Sequence, residues 1–201
     1  NTNFPNANVV MGTDGNDTIT GTSGSDLIAS FNGTDTVNGL AGNDKILGGA
    51  GVDTLNGGDD NDHIYGYAGA DTLNGNAGND LIYGGKDNDT IDGDAGDDDL
   101  YGEAGDDTLN SGLGSDTLNG GLGDDTINVD GSGNKNIDGG AGTNTLDIDY
   151  SGISNLGNFE LSTSGDSLIL TDSDSNSISF RLISNLIVDN FTYLRVQTDK
   201  A

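Results

Sequence analysis

The sequence predicts an all-β fold, a right-handed parallel β-solenoid in which two nine-residue units make one coil. Three observations predict this fold: a nine-residue phrase repeats in phase, one fixed place in each phrase is aliphatic, and the net charge is −28. Read from Gly12, the phrase runs through thirteen units without an insertion and ends at Asn128. The first two units are GTDGNDTIT and GTSGSDLIA, and the last is GGLGDDTIN.

Within each unit, the sixth place is aspartate and the eighth is aliphatic. The first six residues are rich in Gly, Asn and Asp and favour a tight turn, because glycine adopts positive φ without steric cost. The last three residues, polar–aliphatic–polar, predict a short strand with the aliphatic side chain on the inner face. The sixth-place aspartates would therefore stack in the turns. They are Asp17, Asp26, Asp35, Asp44, Asp53, Asp62, Asp71, Asp80, Asp89, Asp98, Asp107, Asp116 and Asp125.

The pattern G-G-x-G-x-D-x-U-x, where U is aliphatic, resembles the calcium-binding nonapeptide of the repeats-in-toxin (RTX) family. The resemblance implies a β-roll in which these aspartates and turn carbonyls from two stacked turns share each calcium ion. Ca²⁺ takes six to eight oxygen ligands, and carboxylates stacked about 4.8 Å apart would repel one another without it. Counting the gaps in the two columns of aspartates predicts about eleven ions.

The composition also favours a fold that depends on bound cations. The chain has 34 acidic residues against six basic ones and contains 35 glycines, a composition typical of disordered chains. About eleven Ca²⁺ ions would reduce the net charge to roughly −6, so we expect metal binding and folding to be one event. The chain has no basic patch that would suit nucleic acid and no apolar run of membrane-spanning length.

The repeat divides the chain into three predicted parts. Residues 1–11 are predicted to cap the first coil, residues 12–147 to form the β-roll, and residues 148–201 to form a β-rich C-terminal cap of short alternating apolar stretches. After Asn128 a ten-residue unit places Lys135 where the aspartate belongs, and the next unit has Asn144 there. Both changes remove a negative ligand, which predicts that the calcium columns end at these residues.

Two units depart from the pattern at the fourth place, where Asp60 and Asp87 replace glycine. Such a change either distorts the turn or adds a carboxylate ligand. The sequence leaves both alternatives open.

The outward seventh and ninth places predict two different surfaces. The odd-numbered units carry a regular Thr-x-Asn array, which we call the threonine face. Its spacings, about 4.8 Å across strands and 6.8 Å along them, are close to lattice repeats of ice. The array resembles the T-x-T faces of β-solenoid antifreeze proteins, so ice is a candidate partner, although duplication of a two-unit coil would also produce such a row. The candidate residues are Thr18, Thr20, Thr36, Asn38, Thr54, Asn56, Thr72, Asn74, Thr90, Asp92, Thr108, Asn110, Thr126, Asn128 and Thr145.

The even-numbered units carry a mixed surface with a tyrosine row, Tyr65, Tyr83 and Tyr101. This row is a candidate polysaccharide-binding or dimer surface, since exposed aromatic rings stack on sugars or bury against a partner. Simple packing between neighbouring strands is the other interpretation. The polysaccharide alternative has a precedent in the RTX modules attached to alginate epimerases, and a further alternative is a general module for secretion or adhesion.

No catalytic arrangement is predicted. His63 is the single histidine and falls at an outward strand place, and the sequence has no cysteine nucleophile and no zinc or phosphate-binding motif. The RTX resemblance implies export of an unfolded chain that folds outside the cell, where calcium is abundant. The sequence therefore predicts a secreted, non-catalytic protein.

Overall fold

The structure, a computed structural model, describes residues 7–130 and 133–149 and four strands beyond them. These residues form strands and turns, and none of them lies in a helix that could cross a membrane. The strands are β1 (Asn8–Met11), β2 (Thr18–Thr20), β3 (Asp26–Asn32), β4 (Thr36–Ala41), β5 (Lys45–Ala50), β6 (Thr54–Asp59), β7 (His63–Ala68), β8 (Thr72–Ala77), β9 (Leu81–Lys86), β10 (Thr90–Asp92), β11 (Asp99–Ala104), β12 (Thr108–Asn110), β13 (Thr117–Leu122), β14 (Thr126–Asp130), β15 (Lys135–Asp138), β16 (Asn144–Asp149), β17 (Glu160–Ser164), β18 (Ser167–Thr171), β19 (Ser177–Arg181) and β20 (Phe191–Gln197).

The strands form two sheets, and successive strands alternate between them as far as β16. One sheet has the order β1-β3-β5-β7-β9-β11-β13-β15-β19-β18-β17, and the other has the order β2-β4-β6-β8-β10-β12-β14-β16-β20. Neighbouring strands pair in parallel with Thr36 opposite Thr54, one coil further along the chain. In the ten-residue unit after Asn128 the spacing changes, and Thr117 pairs with Asn136, so this coil contains one residue more than the others. The predicted parallel solenoid with two units per coil is confirmed.

Most strands are longer than the three residues that the pattern predicts. Strand β6, for example, continues from the seventh to ninth places of one unit into the first three places of the next. The second place is left-handed, as at Leu40 (φ 86°) and Tyr67 (φ 78°), so the chain turns a corner there. Pairing with the adjacent coils continues past this corner, because every coil makes the same turn.

The core is a column of eighth-place side chains between the two sheets, with Val129 added near its C-terminal end. Each coil contributes two eighth-place side chains, which makes the core narrow. Val10 packs on it at the N-terminal end. The buried residues are Ile19, Ile28, Val37, Ile46, Leu55, Ile64, Leu73, Ile82, Ile91, Leu100, Leu109, Leu118, Ile127, Val129, Ile137 and Leu146.

The two aspartates at the fourth place have a backbone conformation different from that of the glycines they replace. Asp60 (φ 75°) and Asp87 (φ 72°) have a smaller positive φ than the glycines of the other units, for example Gly51 (φ 131°). In addition, the Asp60 carboxylate accepts a hydrogen bond from the Gly42 N–H at 3.2 Å. Aspartate tolerates a positive φ, and both alternatives, a distorted turn and an added carboxylate ligand, stay predictions for these units.

Both sheets continue beyond residue 149. Strand β19 pairs in parallel with β15, β20 pairs in parallel with β16, and β17, β18 and β19 are joined in antiparallel fashion. These four strands correspond to four of the predicted apolar stretches. Residues 185–190 of the predicted C-terminal cap and residues 1–6 of the predicted N-terminal cap lie outside the described residues.

Candidate metal centre

The sixth-place aspartates form two columns along the edges of the solenoid. The first column runs from Asp17 to Asp125 through the odd-numbered units, and the second runs from Asp26 to Asp116 through the even-numbered units. All of them except Asp17 are at most 2 % exposed. The turn buries these carboxylates because the sixth place directly precedes the strand, at the inner side of the loop.

Each column is joined by hydrogen bonds between consecutive coils. The backbone N–H of one aspartate donates to Oδ1 of the aspartate one coil further on, for example from Asp53 to Asp71 at 2.8 Å and from Asp44 to Asp62 at 2.7 Å. In every sixth-place aspartate except Asp17 and Asp26, Oδ1 is thus fixed by a backbone N–H of the preceding coil.

The second oxygen, Oδ2, has no hydrogen-bond partner in ten of these buried carboxylates. An unpaired buried acceptor costs about 1–3 kcal/mol, and a charged one costs more, so ten of them in one small fold require a counter-ion or a proton. Six of the ten belong to the first column and four to the second. They are Asp35, Asp53, Asp71, Asp89, Asp107 and Asp125, and Asp44, Asp62, Asp80 and Asp98.

Backbone carbonyl oxygens lie near the unpaired carboxylate oxygens. A Cβ added at Gly48 would lie 2.9 Å from Asp53 Oδ2 and 2.9 Å from the carbonyl oxygen of Gly66, one coil further on. Glycine at the first place therefore leaves a space into which a carboxylate oxygen and a carbonyl oxygen both point. Carboxylate and carbonyl oxygens are the ligands that Ca²⁺ prefers, so the residues present fit this ion.

Burial also raises the pKa of several sixth-place carboxyl groups. Burial, with smaller contributions from the neighbouring Asp80 and Asp44 carboxylates, raises the pKa of Asp62 to about 8. The same cause raises the pKa of Asp71 to about 7 and that of Asp44 to about 6. In a folded chain without a cation, these three carboxyl groups would lose their protons as the pH rises through about 6 to 8.

The described residues contain no cluster of three or more His, Cys, Asp or Glu side chains that could hold a metal. This absence follows from the geometry, because each coil contributes one sixth-place carboxylate to each column. A site here would take most of its ligands from the backbone.

The N-terminal end of each column is closed by a threonine that the sequence analysis missed. Thr13 donates its backbone N–H to Asp17 Oδ2, and Thr22 donates its N–H to Asp26 Oδ2, each at 2.6 Å. Their hydroxyls also donate to the same carboxylates. The signal was present in the sequence, since threonine occupies the second place only in the first two of the thirteen units.

The C-terminal ends are closed by the two residues that replace aspartate. Asn144 Oδ1 accepts the Asp125 N–H at 2.7 Å, and its Nδ2 donates to the Gly139 carbonyl at 2.7 Å. Lys135 forms an ion pair with Asp116. The two departures from the pattern thus lie where the sequence placed them, one coil beyond the last aspartate of each column.

A second ladder at the fifth place was also missed. There the side-chain oxygen of Asn79 accepts the Asp97 N–H at 2.9 Å, and Asp97 accepts the Ser115 N–H at 2.8 Å. This ladder runs opposite to the sixth-place one, because the side chain here accepts from the following coil. Fifth-place Asn and Asp therefore stabilise stacking at the outer side of the turn.

The threonine face lies on the nine-stranded sheet as predicted. Thr18, Thr36 and Thr54 are paired across adjacent strands, and the same register continues to Thr145. Their side chains are exposed or half-buried. The asparagines beside them bond to each other, from Asn74 Nδ2 to Asn56 Oδ1 at 2.8 Å and again from Asn128 to Asn110. These bonds hold two pairs of asparagine side chains on the face in place.

The tyrosine row lies on the eleven-stranded sheet, and its rings stack on one another. The ring centroids of Tyr65 and Tyr83 are 5.2 Å apart, and those of Tyr83 and Tyr101 are 4.8 Å apart, with nearly parallel planes. The Lys45 ammonium lies 5.0 Å from the Tyr65 ring centroid. The ring faces are thus directed at each other along the solenoid, as the strand-packing interpretation predicts. A depression of about 230 Å³ beside the row is lined by Tyr65, Tyr67, Tyr83, Gly84, Gly85 and Glu103.

Comparison with known proteins gives one family match. The family model for the RTX calcium-binding nonapeptide repeat (4 copies) matches residues 5–30, 11–46, 30–64, 47–82, 65–100 and 92–127, more than half of the chain. No curated protein matches. Among solved structures, the chain is similar to the extracellular lipase LipA from Serratia marcescens, with 16% identity and a TM-score of 0.23 over 95% of this chain and 40% of the lipase chain. The chain thus spans less than half the length of that lipase.

Proposed function

Since the chain belongs to the RTX calcium-binding nonapeptide repeat family, we propose that Ca²⁺ ions occupy the gaps between its stacked turns and that ion binding completes the fold. The unpaired Oδ2 atoms of ten buried aspartates are the observation that carries this proposal. Calcium would supply each of these oxygens with the positive partner that the protein lacks there.

Each proposed site draws on two successive coils. The ligands from the chain are the Oδ2 of one aspartate, such as Asp53, and backbone carbonyl oxygens such as that of Gly66. Counted by unpaired oxygens, the first column has six sites and the second has four, which is ten ions instead of the eleven expected from counting gaps. The two counts differ because Thr13 and Thr22 bond the first carboxylate of each column, which removes one gap from each column, and Asn144 bounds one more gap in the first column, next to Asp125.

Aspartates at the middle and the end of the first column should contribute unequally to calcium affinity. We expect Asp71→Asn to raise the calcium concentration at the folding midpoint several-fold, since asparagine keeps the Oδ1 acceptor but loses the anionic oxygen. Asp17→Asn should have a much smaller effect, because Thr13 already bonds Asp17 Oδ2. Calcium titrations followed by circular dichroism give both midpoints. Equal shifts would contradict the assignment of sites to unpaired oxygens.

We propose ice as the partner of the threonine face. Eight threonines in register across consecutive strands, from Thr18 to Thr145, support this proposal, since a flat and rigid array of short side chains can order water. In the described residues, the Thr36, Thr72 and Thr90 hydroxyls make no hydrogen bond to protein, so they are available to water. The hydrogen bonds from Asn74 to Asn56 and from Asn128 to Asn110 support the same surface, because they fix these side chains beside the threonines.

A bulky ring on the threonine face should abolish ice binding without unfolding the solenoid. In calcium, the wild-type protein is expected to shape growing ice crystals and to separate the melting and freezing points. Thr72→Tyr places a ring in the middle of the face and should remove this gap, while stability changes by only about 0.5 kcal/mol because the side chain is exposed. Nanolitre osmometry measures the gap.

Two control variants test which sheet is responsible. Thr117→Tyr makes the same change at the same strand place of the opposite sheet, and Tyr83→Thr opens the tyrosine row, so both should leave ice shaping intact. A wild-type protein that shapes no ice in calcium would refute the proposal. Loss of activity in Thr117→Tyr as well would show that any bulky surface residue interferes.

The alternative function, polysaccharide binding, depends on the tyrosine row. The depression beside Tyr83, with the Glu103 carboxylate at its edge, is the observation that favours it. Because the ring faces cover each other, a sugar could meet only ring edges and hydroxyls there, apart from the outermost faces. Ring stacking on sugars is therefore weakly supported, and loss of polysaccharide retention in Tyr83→Thr would favour this alternative over ice. A dimer surface at this row stays a third prediction.

We further propose that the protein is secreted and non-catalytic. A fold completed by many calcium ions suits the extracellular medium, where calcium is at millimolar concentration. His63 is an exposed residue of β7, and the buried aspartates are placed between stacked turns, where they bind cations instead of substrate.

A further inference from the structure

Lys135 is a buried lysine at a place that aspartate fills in all thirteen preceding units. Asn136 pairs with Thr117, so Lys135 lies one coil beyond Asp116 in the second column. Its side chain is 1% exposed. The ammonium forms an ion pair with Asp116 Oδ2 and donates to the Gly112 carbonyl oxygen at 2.7 Å. A buried ammonium requires such partners, and this one has both a carboxylate and a carbonyl.

The preceding carboxylate of the column, Asp98, differs from Asp116 in the contacts of its Oδ2. Asp98 Oδ1 accepts the Asp80 N–H at 2.8 Å, and Asp116 Oδ1 accepts the Asp98 N–H at 3.0 Å, so the backbone holds both carboxylates in the same way. Asp98 Oδ2 has no partner, whereas Asp116 Oδ2 faces the lysine. The oxygens that contact the ammonium are of the two kinds that would bind calcium elsewhere in the column.

We propose that the Lys135 ammonium takes the place of calcium in the last gap of the second column, so that this gap binds no metal. The inference rests on the proposed calcium sites and adds where they stop and why. The first column ends differently, because the Asn144 side chain donates to the Gly139 carbonyl oxygen but leaves Asp125 Oδ2 unpaired. Only the second column is thus closed at this end by a cation of the chain itself.

A matched pair of substitutions tests the inference by counting bound calcium. Asp98→Asn and Asp116→Asn make the same change at consecutive places of one column, and both keep the oxygen that accepts the preceding N–H. We expect Asp98→Asn to bind at least one ion fewer than the wild type and Asp116→Asn to bind the wild-type number. Equilibrium dialysis with radioactive calcium gives the ions per chain, after circular dichroism has verified the fold.

A third variant covers the case in which the unpaired lysine of Asp116→Asn prevents folding. Lys135→Asp restores the repeat pattern and should bind one ion more than the wild type. Loss of an ion in Asp116→Asn, or a wild-type count in Lys135→Asp, would overturn the inference. If Asp98→Asn also kept every ion, the proposed calcium sites themselves would be wrong, and both proposals would fall together.

Discussion

Removal of calcium at pH 7.5 is expected to abolish the β structure of residues 12–147. Ten buried carboxylate oxygens would then lack partners, and at about 1–3 kcal/mol each they cost on the order of 10–30 kcal/mol. That sum exceeds the roughly 5–15 kcal/mol by which folded domains are usually stable. Far-ultraviolet circular dichroism in excess EDTA should therefore show an unfolded chain, and added calcium should restore the β spectrum cooperatively.

Magnesium provides the matched control for this experiment. Mg²⁺ carries the same charge but demands compact octahedral geometry and keeps its own water molecules. It should therefore fail to restore the β spectrum at concentrations where calcium succeeds. Persistence of a complete β spectrum in EDTA at pH 7.5 would show that the fold does not depend on the metal.

Acid should substitute for calcium in the stripped protein. Burial raises the pKa of Asp62 to about 8 and that of Asp71 to about 7, above their usual value of 3.8, so the folded state binds more protons than the unfolded chain. The stability from these protons is complete below about pH 4 and is lost as the pH rises through about 6 to 8. We therefore expect β structure to return as calcium-free protein is acidified from pH 8 to pH 4.

Circular dichroism of protein dialysed free of calcium measures this transition, and the calcium-loaded protein serves as the reference. With calcium present, acidification from neutral pH should instead weaken the fold, because protons compete with the ion for the same oxygens. A stripped chain that stays unfolded at pH 4 would contradict the idea that unpaired carboxylates are what opposes folding.

The repeat allowed the fold to be predicted because every unit carries the same information. A fixed aliphatic place gives the core, and a phase of nine residues gives the register that aligns Thr36 with Thr54. Strand length could not be predicted in this way. The pairing continues past the left-handed second place, as at Leu40, and hydrogen bonding between coils sets where a strand ends.

Only part of the candidate site could be predicted from the sequence. The pattern identified the aspartates as a column, but it could not show that Oδ1 is bonded to the backbone and Oδ2 is not, since this depends on the side-chain rotamer. It marked Lys135 as a lost ligand, whereas the structure shows an ammonium bonded to Asp116 and Gly112. The length of the lysine side chain, which lets it reach back one coil, decides that outcome.

The narrow aliphatic core has a consequence for the temperature dependence of the fold. Unfolding would expose little apolar surface, so its heat capacity change should fall well below the about 12–15 cal/mol/K per residue of ordinary globular domains. A small heat capacity change flattens the stability curve, and hydrophobic burial, the contribution that weakens on cooling, is a minor part of the total here. The protein should therefore resist cold denaturation, because its coils are joined chiefly by carboxylates, backbone hydrogen bonds and cations.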